Sequence, residues 1–210
     1  MSTTWLSNHF DFDDMSPEDM ILSRHVEVLR DYDPTTATPV AVGPTIPAVV
    51  GGDAADAEKR IMYCPIGTRL DALKLPAIFC TAGNVEVTAR PGFIGHALIV
   101  RDFIRYEEWK PNDISAAWTP GLSSLVHLMR RAVASNPHLS FTPTEAQVPG
   151  YAGGPLELAK HVNFRTVDFV NLLNPDGLPT SIWDCIVEFE YLLDVSKDSG
   201  RIWSLSVNEL

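Results

Sequence analysis

Near the C-terminus, Val187, Phe189, Tyr191, Leu193 and Val195 fall on one side of a period-2 pattern. Glu188, Glu190 and Asp194 fall on the other, and Leu192 alone breaks the alternation. Because a strand sends successive side chains to opposite faces, this pattern predicts a strand with one buried and one wet face. Lys197-Asp198-Ser199-Gly200 then supplies turn residues, and Trp203, Leu205 and Val207 resume the alternation. The two runs together predict an antiparallel hairpin over 186–207.

The remainder of the chain is punctuated in a way that suits a sheet. Sixteen prolines and thirteen glycines favour short elements joined by turns, since helix interiors exclude proline. Between residues 60 and 106, apolar runs at 61–66, 77–81, 85–88 and 93–106 are separated by Pro65-Ile66-Gly67, Ala82-Gly83-Asn84 and Arg90-Pro91-Gly92. These separators carry turn chemistry and predict a β-meander. In the last run Leu98, Val100, Ile104 and Tyr106 share one phase, while Ile99 and Phe103 share the other with Arg101 and Arg105. Apolar residues on both faces indicate a central strand, or one that bends between two sheets.

Two stretches read as helices. Ser16-Pro17-Glu18-Asp19 offers a capping hydroxyl, a proline for the first turn and acids for the positive dipole end. Ile21, Leu22, His25, Val28, Leu29 and Tyr32 follow on one face, and Asp33-Pro34 ends the helix, placing it at 17–31. Thr119-Pro120-Gly121 opens a second helix over 120–135, with Leu122, Leu125, Val126, Met129 and Val133 at helical spacing. Residues 156–173 read as a short helical turn passing into a strand, stopped by Asn174-Pro175-Asp176-Gly177. The fold class expected is mainly β: an antiparallel two-sheet sandwich, jelly-roll-like, with two short helices. Residues 16–210 form its single domain, and residues 1–15 an extended N-terminal arm.

Charge and cysteine usage narrow the function. A net charge of −11, with no run of Lys or Arg longer than two, argues against nucleic acid as a strong direct partner of the isolated chain. Cys64, Cys80 and Cys185 have no CxxC spacing and lie in apolar surroundings, as reduced core thiols do. Neither a signal peptide nor a membrane-length apolar run is visible, so the expected location is the cytoplasm or a virion, with no membrane partner.

Chemistry-bearing motifs are sparse. Metal ligands must converge to about 2.0–2.2 Å from the ion, and the six histidines are scattered without HxH or HExxH spacing. Gly43-Pro44 and Gly51-Gly52 lack the phosphate-loop pattern, and there is no GxSxG elbow. No cofactor or metal is therefore expected, and the motifs identify no catalytic residue. The one enzyme-like grouping is His96 with Glu86 or Glu107, which gives the alternative of a small-molecule-binding β-barrel enzyme with a site around His96.

The leading expectation is a non-enzymatic structural protein that self-assembles, of the capsid or coat type, as a homo-oligomer held through its arm and sheet edges. The arm carries Trp5, Leu6, Phe10 and Phe12 among Asp11, Asp13 and Asp14. Burying each large apolar group is worth about 1.5–3 kcal/mol, so these need cover, and a neighbouring copy is the expected source. The acids would meet Arg130 and Arg131. Trp5, Phe10, Phe12, Arg130 and Arg131 are thus the candidate partner-binding residues.

Overall fold

Helix α1 (Pro17–Asp31) starts where the sequence places it: Ser16 Oγ accepts from the Asp19 backbone N–H at 3.1 Å, with Pro17 in the first turn. The protein is seen here as a computed structural model, which describes residues 16–37, 40, 45–46, 61–63, 77–90, 93–107, 121–142 and 154–196. After α1 come β1 (Ile61–Tyr63), β2 (Ala77–Arg90), β3 (Phe93–Glu107), α2 (Leu122–Ser135), β4 (His161–Leu173) and β5 (Pro179–Ser196).

The strands form one five-stranded sheet in the order β1-β2-β3-β5-β4. Each neighbouring pair among β2, β3, β5 and β4 is antiparallel, and short β1 runs parallel to β2. The expected mainly β character and both helices are present, but the described residues contain no second sheet. Helices supply the second layer instead. Ile21, His25 and Leu29 of α1 and Leu125, Met129 and Val133 of α2 are fully buried, in one core with the inner sheet face. An amphipathic helix covers an apolar sheet face as well as another sheet does.

The alternation in β5 survives in space. Cys185, Val187, Phe189, Tyr191, Leu193 and Val195 are buried, opposite Ile104, Asp102, Val100, Leu98, His96 and Ile94 of β3. On the outer face Arg101 Nε lies 2.6 Å from Glu188 Oε1, and Arg105 Nη2 lies 2.7 Å from Asp184 Oδ2. Asp194 departs from the wet-face expectation: it is buried and paired with Lys160. Strand β5 has β3 on one side and β4 on the other, so its long neighbours come from earlier in the chain. Residues 197–210, which carry the second half of the expected hairpin, lie outside the described residues.

Two further expectations are corrected. Ala82-Gly83-Asn84 is not a turn between strands, for β2 runs through it. Ala82 pairs with Val100 and Val85 with Leu98, so three steps on β2 oppose two on β3. That is a β-bulge, which uses the same Gly and Asn chemistry as a turn. Nor is there a helical turn after residue 156. Leu156 bridges Phe141 through backbone bonds of 2.8 and 3.0 Å, and the strand follows from His161. The β-branched and aromatic residues of 162–170 outweigh the partial helical spacing.

Candidate functional site

Inside the core, one group of side chains is polar. His25 points from α1 at the sheet, where Asp102 of β3 and Tyr191 of β5 meet it. His25 Nε2 lies 2.8 Å from Asp102 Oδ2 and His25 Nδ1 lies 2.7 Å from Tyr191 Oη, and the His25 and Asp102 side chains are both 0% exposed. The helix supplies His25 because residues 21, 25 and 29 share one face. The sheet supplies the others because Asp102 and Tyr191 occupy the inward phase on neighbouring strands. Phe189 flanks the imidazole at 5.0 Å between ring centroids.

The electrostatics keep the Tyr191 hydroxyl protonated. Burial, then the nearby Asp102 and Cys80, push the Tyr191 hydroxyl well above the usual phenol value. Tyr191 therefore keeps its proton; with the imidazole proton on Nε2, that nitrogen donates to Asp102 and Nδ1 accepts from the Tyr191 hydroxyl. Asp102 Oδ1 remains buried with no hydrogen-bond partner. An unmet buried acceptor costs about 1–3 kcal/mol, more if charged, so this oxygen calls for an explanation. Cys80 of β2 completes the group: His25, Cys80 and Asp102 each place one donor atom within 4.8 Å of the others, all buried.

Sequence reasoning did not assemble this cluster, because its members are 77 and 166 positions from His25. A signal was nevertheless present. Asp102 falls in the same phase as Leu98, Val100, Ile104 and Tyr106, and a carboxylate in a buried phase needs a partner.

The second candidate is the free side of β4. This strand ends the sheet order and pairs only with β5 among the described residues. Phe169, Val170 and Leu173 are 46%, 55% and 61% exposed, and Phe164 and Leu178 are exposed as well. A register shift between Phe164 and Val167 puts Phe164 opposite Phe189 and Phe169 opposite Cys185, both inward-phase residues. The bulge thus places two phenyl rings five positions apart on the same face.

The sequence-derived residues divide between these regions. Arg130 is exposed on α2, and its guanidinium carbon sits 5.7 Å from the Phe164 ring centroid, beside the β4 edge. Arg131 is partly covered. Trp5, Phe10 and Phe12 lie outside the described residues. His96 registers with Val87 and Leu193, whereas Glu86 registers with Ala97. Glu107 stands eleven positions from His96 on the same strand, roughly 36 Å away at strand rise. It accepts from the Ser181 hydroxyl at 3.2 Å, so it does not join His96.

No family model matches the chain, and no curated protein is similar enough to it to be called a relative. No helix among the described residues is long and apolar enough to cross a membrane.

Proposed function

We propose that the protein is a non-enzymatic structural subunit that assembles with copies of itself, in the manner of a coat or shell protein. The observation that carries this reading is the β4 edge, 13 residues of strand with several exposed apolar side chains. Unpaired on its far side among the described residues, this edge offers N–H and C=O groups that proteins without a use for them usually blunt with charge or cover.

The occupant that fits is a second β4. Antiparallel pairing about a two-fold axis between residues 166 and 167 sets Arg165 of one copy opposite Asp168 of the other. It also sets Phe164 opposite Phe169, and both of these lie in the inward phase. Charge and apolar surface are then self-complementary, as an isologous contact requires. A bulge discourages uninterrupted pairing with an arbitrary strand, so the same bulge on both partners makes the contact selective. Arg130, over Phe164, borders this contact, and the aromatic arm would add a second one.

Size-exclusion chromatography with light scattering tests the reading. The full chain is expected to be a dimer or larger at micromolar concentration, and Phe169→Lys with Leu173→Lys should shift it to monomer with its circular dichroism unchanged. A wild-type monomer at high concentration, or an oligomer indifferent to both substitutions, overturns it.

A further inference from the structure

Hydrogen bonding accounts for both nitrogens of His25 but not for Asp102 Oδ1, which is buried and unpartnered. Beside it stands a third donor type, the Cys80 sulfur, and the three donor atoms lie within 4.8 Å of one another. We propose that His25, Cys80 and Asp102 are the ligands of a buried divalent metal ion of the zinc class.

The chemistry of the set points to that ion. Imidazole nitrogen, thiolate sulfur and carboxylate oxygen are the donors zinc takes, at about 2.0–2.3 Å. One thiolate, one carboxylate and one neutral imidazole sum to −2, so a divalent ion leaves the site neutral. Neutrality is what a buried position in low dielectric requires. Magnesium and calcium, which favour all-oxygen shells, do not suit it.

The geometry agrees. The 2.8 Å between His25 Nε2 and Asp102 Oδ2 is what two ligands at about 2.0 Å subtend near a right angle, and opening to about 3.3 Å makes the angle tetrahedral. Asp102 Oδ1 becomes useful as the second oxygen of a bidentate carboxylate, bringing the donor atoms to four. Tyr191, at 2.7 Å from Nδ1, is the outer partner that orients the ring and leaves Nε2 for the ion.

The proton balance is simple. Loading the ion displaces the Cys80 thiol proton to solvent. With the ion on Nε2, a neutral imidazole carries its one proton on Nδ1 and donates it to Tyr191 Oη. Because the ligands come from α1, β2 and β3, the ion would tie the first helix to the sheet, and uptake would accompany folding.

The experiment unfolds the full chain in denaturant with chelator, removes both, and refolds it with cobalt(II) as the probe. One equivalent of cobalt with a thiolate-to-metal charge-transfer band is expected, together with one zinc per chain by elemental analysis after refolding in zinc. Cys80→Ser should keep the circular dichroism, lose the band and bind at least 10-fold more weakly. Should that variant fail to fold, a Cys64→Ser, Cys185→Ala chain decides, since Cys80 is then the only one of the three cysteines left. A band in that chain supports the site. A folded wild-type chain that takes up no cobalt, or a band that survives Cys80→Ser, overturns it. Oligomer size plays no part in the readout, so this result is independent of the assembly proposal.

Discussion

Tyr191 Oη lies 2.7 Å from His25 Nδ1, joining β5 to α1 across 166 positions of chain. Removing the hydroxyl leaves the imidazole with a buried nitrogen and nothing to satisfy it. Tyr191→Phe is expected to cost about 1–3 kcal/mol, the usual consequence of orphaning a buried polar group. For a chain of this size each kcal/mol lowers Tm by about 2–4 °C. Urea denaturation of the two proteins checks it, and an unchanged midpoint would mean that the bond is not formed in solution.

What could be read from the sequence, and what could not, follows from the range of the interactions. Ser16, Pro17 and the 21–25–29 face mark α1 by themselves, because capping and helical spacing act over a few residues. The wet and dry phases of β5 are equally local. The number of sheets was not legible, since Ala82-Gly83-Asn84 serves a bulge as well as a turn. Only pairing with Val100 and Leu98, a distant relationship, separates the two. The His25 cluster needs three strands and a helix in register before its members meet.

The Arg101–Glu188 pair predicts a pH dependence. The Arg101 hydrogen bond, at 2.6 Å and helped by one from Thr166, holds the Glu188 carboxyl below the usual carboxylate value. A carboxylate depressed in the folded state stabilises the protein above its unfolded value, about 4.3. That contribution is lost as pH falls through the lower folded value. The Arg101 side chain is 36% exposed, so the pair is worth no more than about 1 kcal/mol. Arg101→Met should therefore be less stable than wild type at pH 7, and the gap should narrow as pH falls below the unfolded value of about 4.3. Urea midpoints at pH 7 and 3.5 measure the difference, and an equal gap at both assigns the effect to packing of the arginine stem.

Cys185 predicts the opposite sign. Burial, together with the negative charge of Asp168, pushes its thiol up to about 11. The folded chain holds this proton, while the unfolded chain releases it from about pH 8.5. Stability should thus fall from about pH 8.5 towards 11, at up to about 1.4 kcal/mol per pH unit for this group. Cys185→Ala will be less stable at pH 7 but should show a shallower decline between pH 8.5 and 10. The same burial predicts that a thiol reagent leaves Cys185 unmodified at pH 8 until denaturant opens the core. Identical slopes, or rapid native labelling at Cys185, would refute the assignment.

The turn that sets β4 against β5 rests on Gly177, whose φ is +78°. Asn174 organises the same turn: its Oδ1 accepts from the backbone N–H of Asp176 at 3.0 Å and of Leu178 at 2.8 Å. A Cβ added at Gly177 would meet nothing within 4 Å, so substitution there probes backbone conformation alone. An L-residue in the left-handed region costs about 1–2 kcal/mol, and Asn, whose short polar side chain tolerates it, costs less. Stability should therefore rank Gly177 above Gly177→Asn and both above Gly177→Ala. Because the turn fixes the register of the edge strand, Gly177→Ala should also weaken any assembly that depends on Phe164 and Phe169 sharing a face. Chemical denaturation gives the ranking and light scattering the second effect. If alanine proves as stable as glycine, the left-handed turn is not the one that joins these strands.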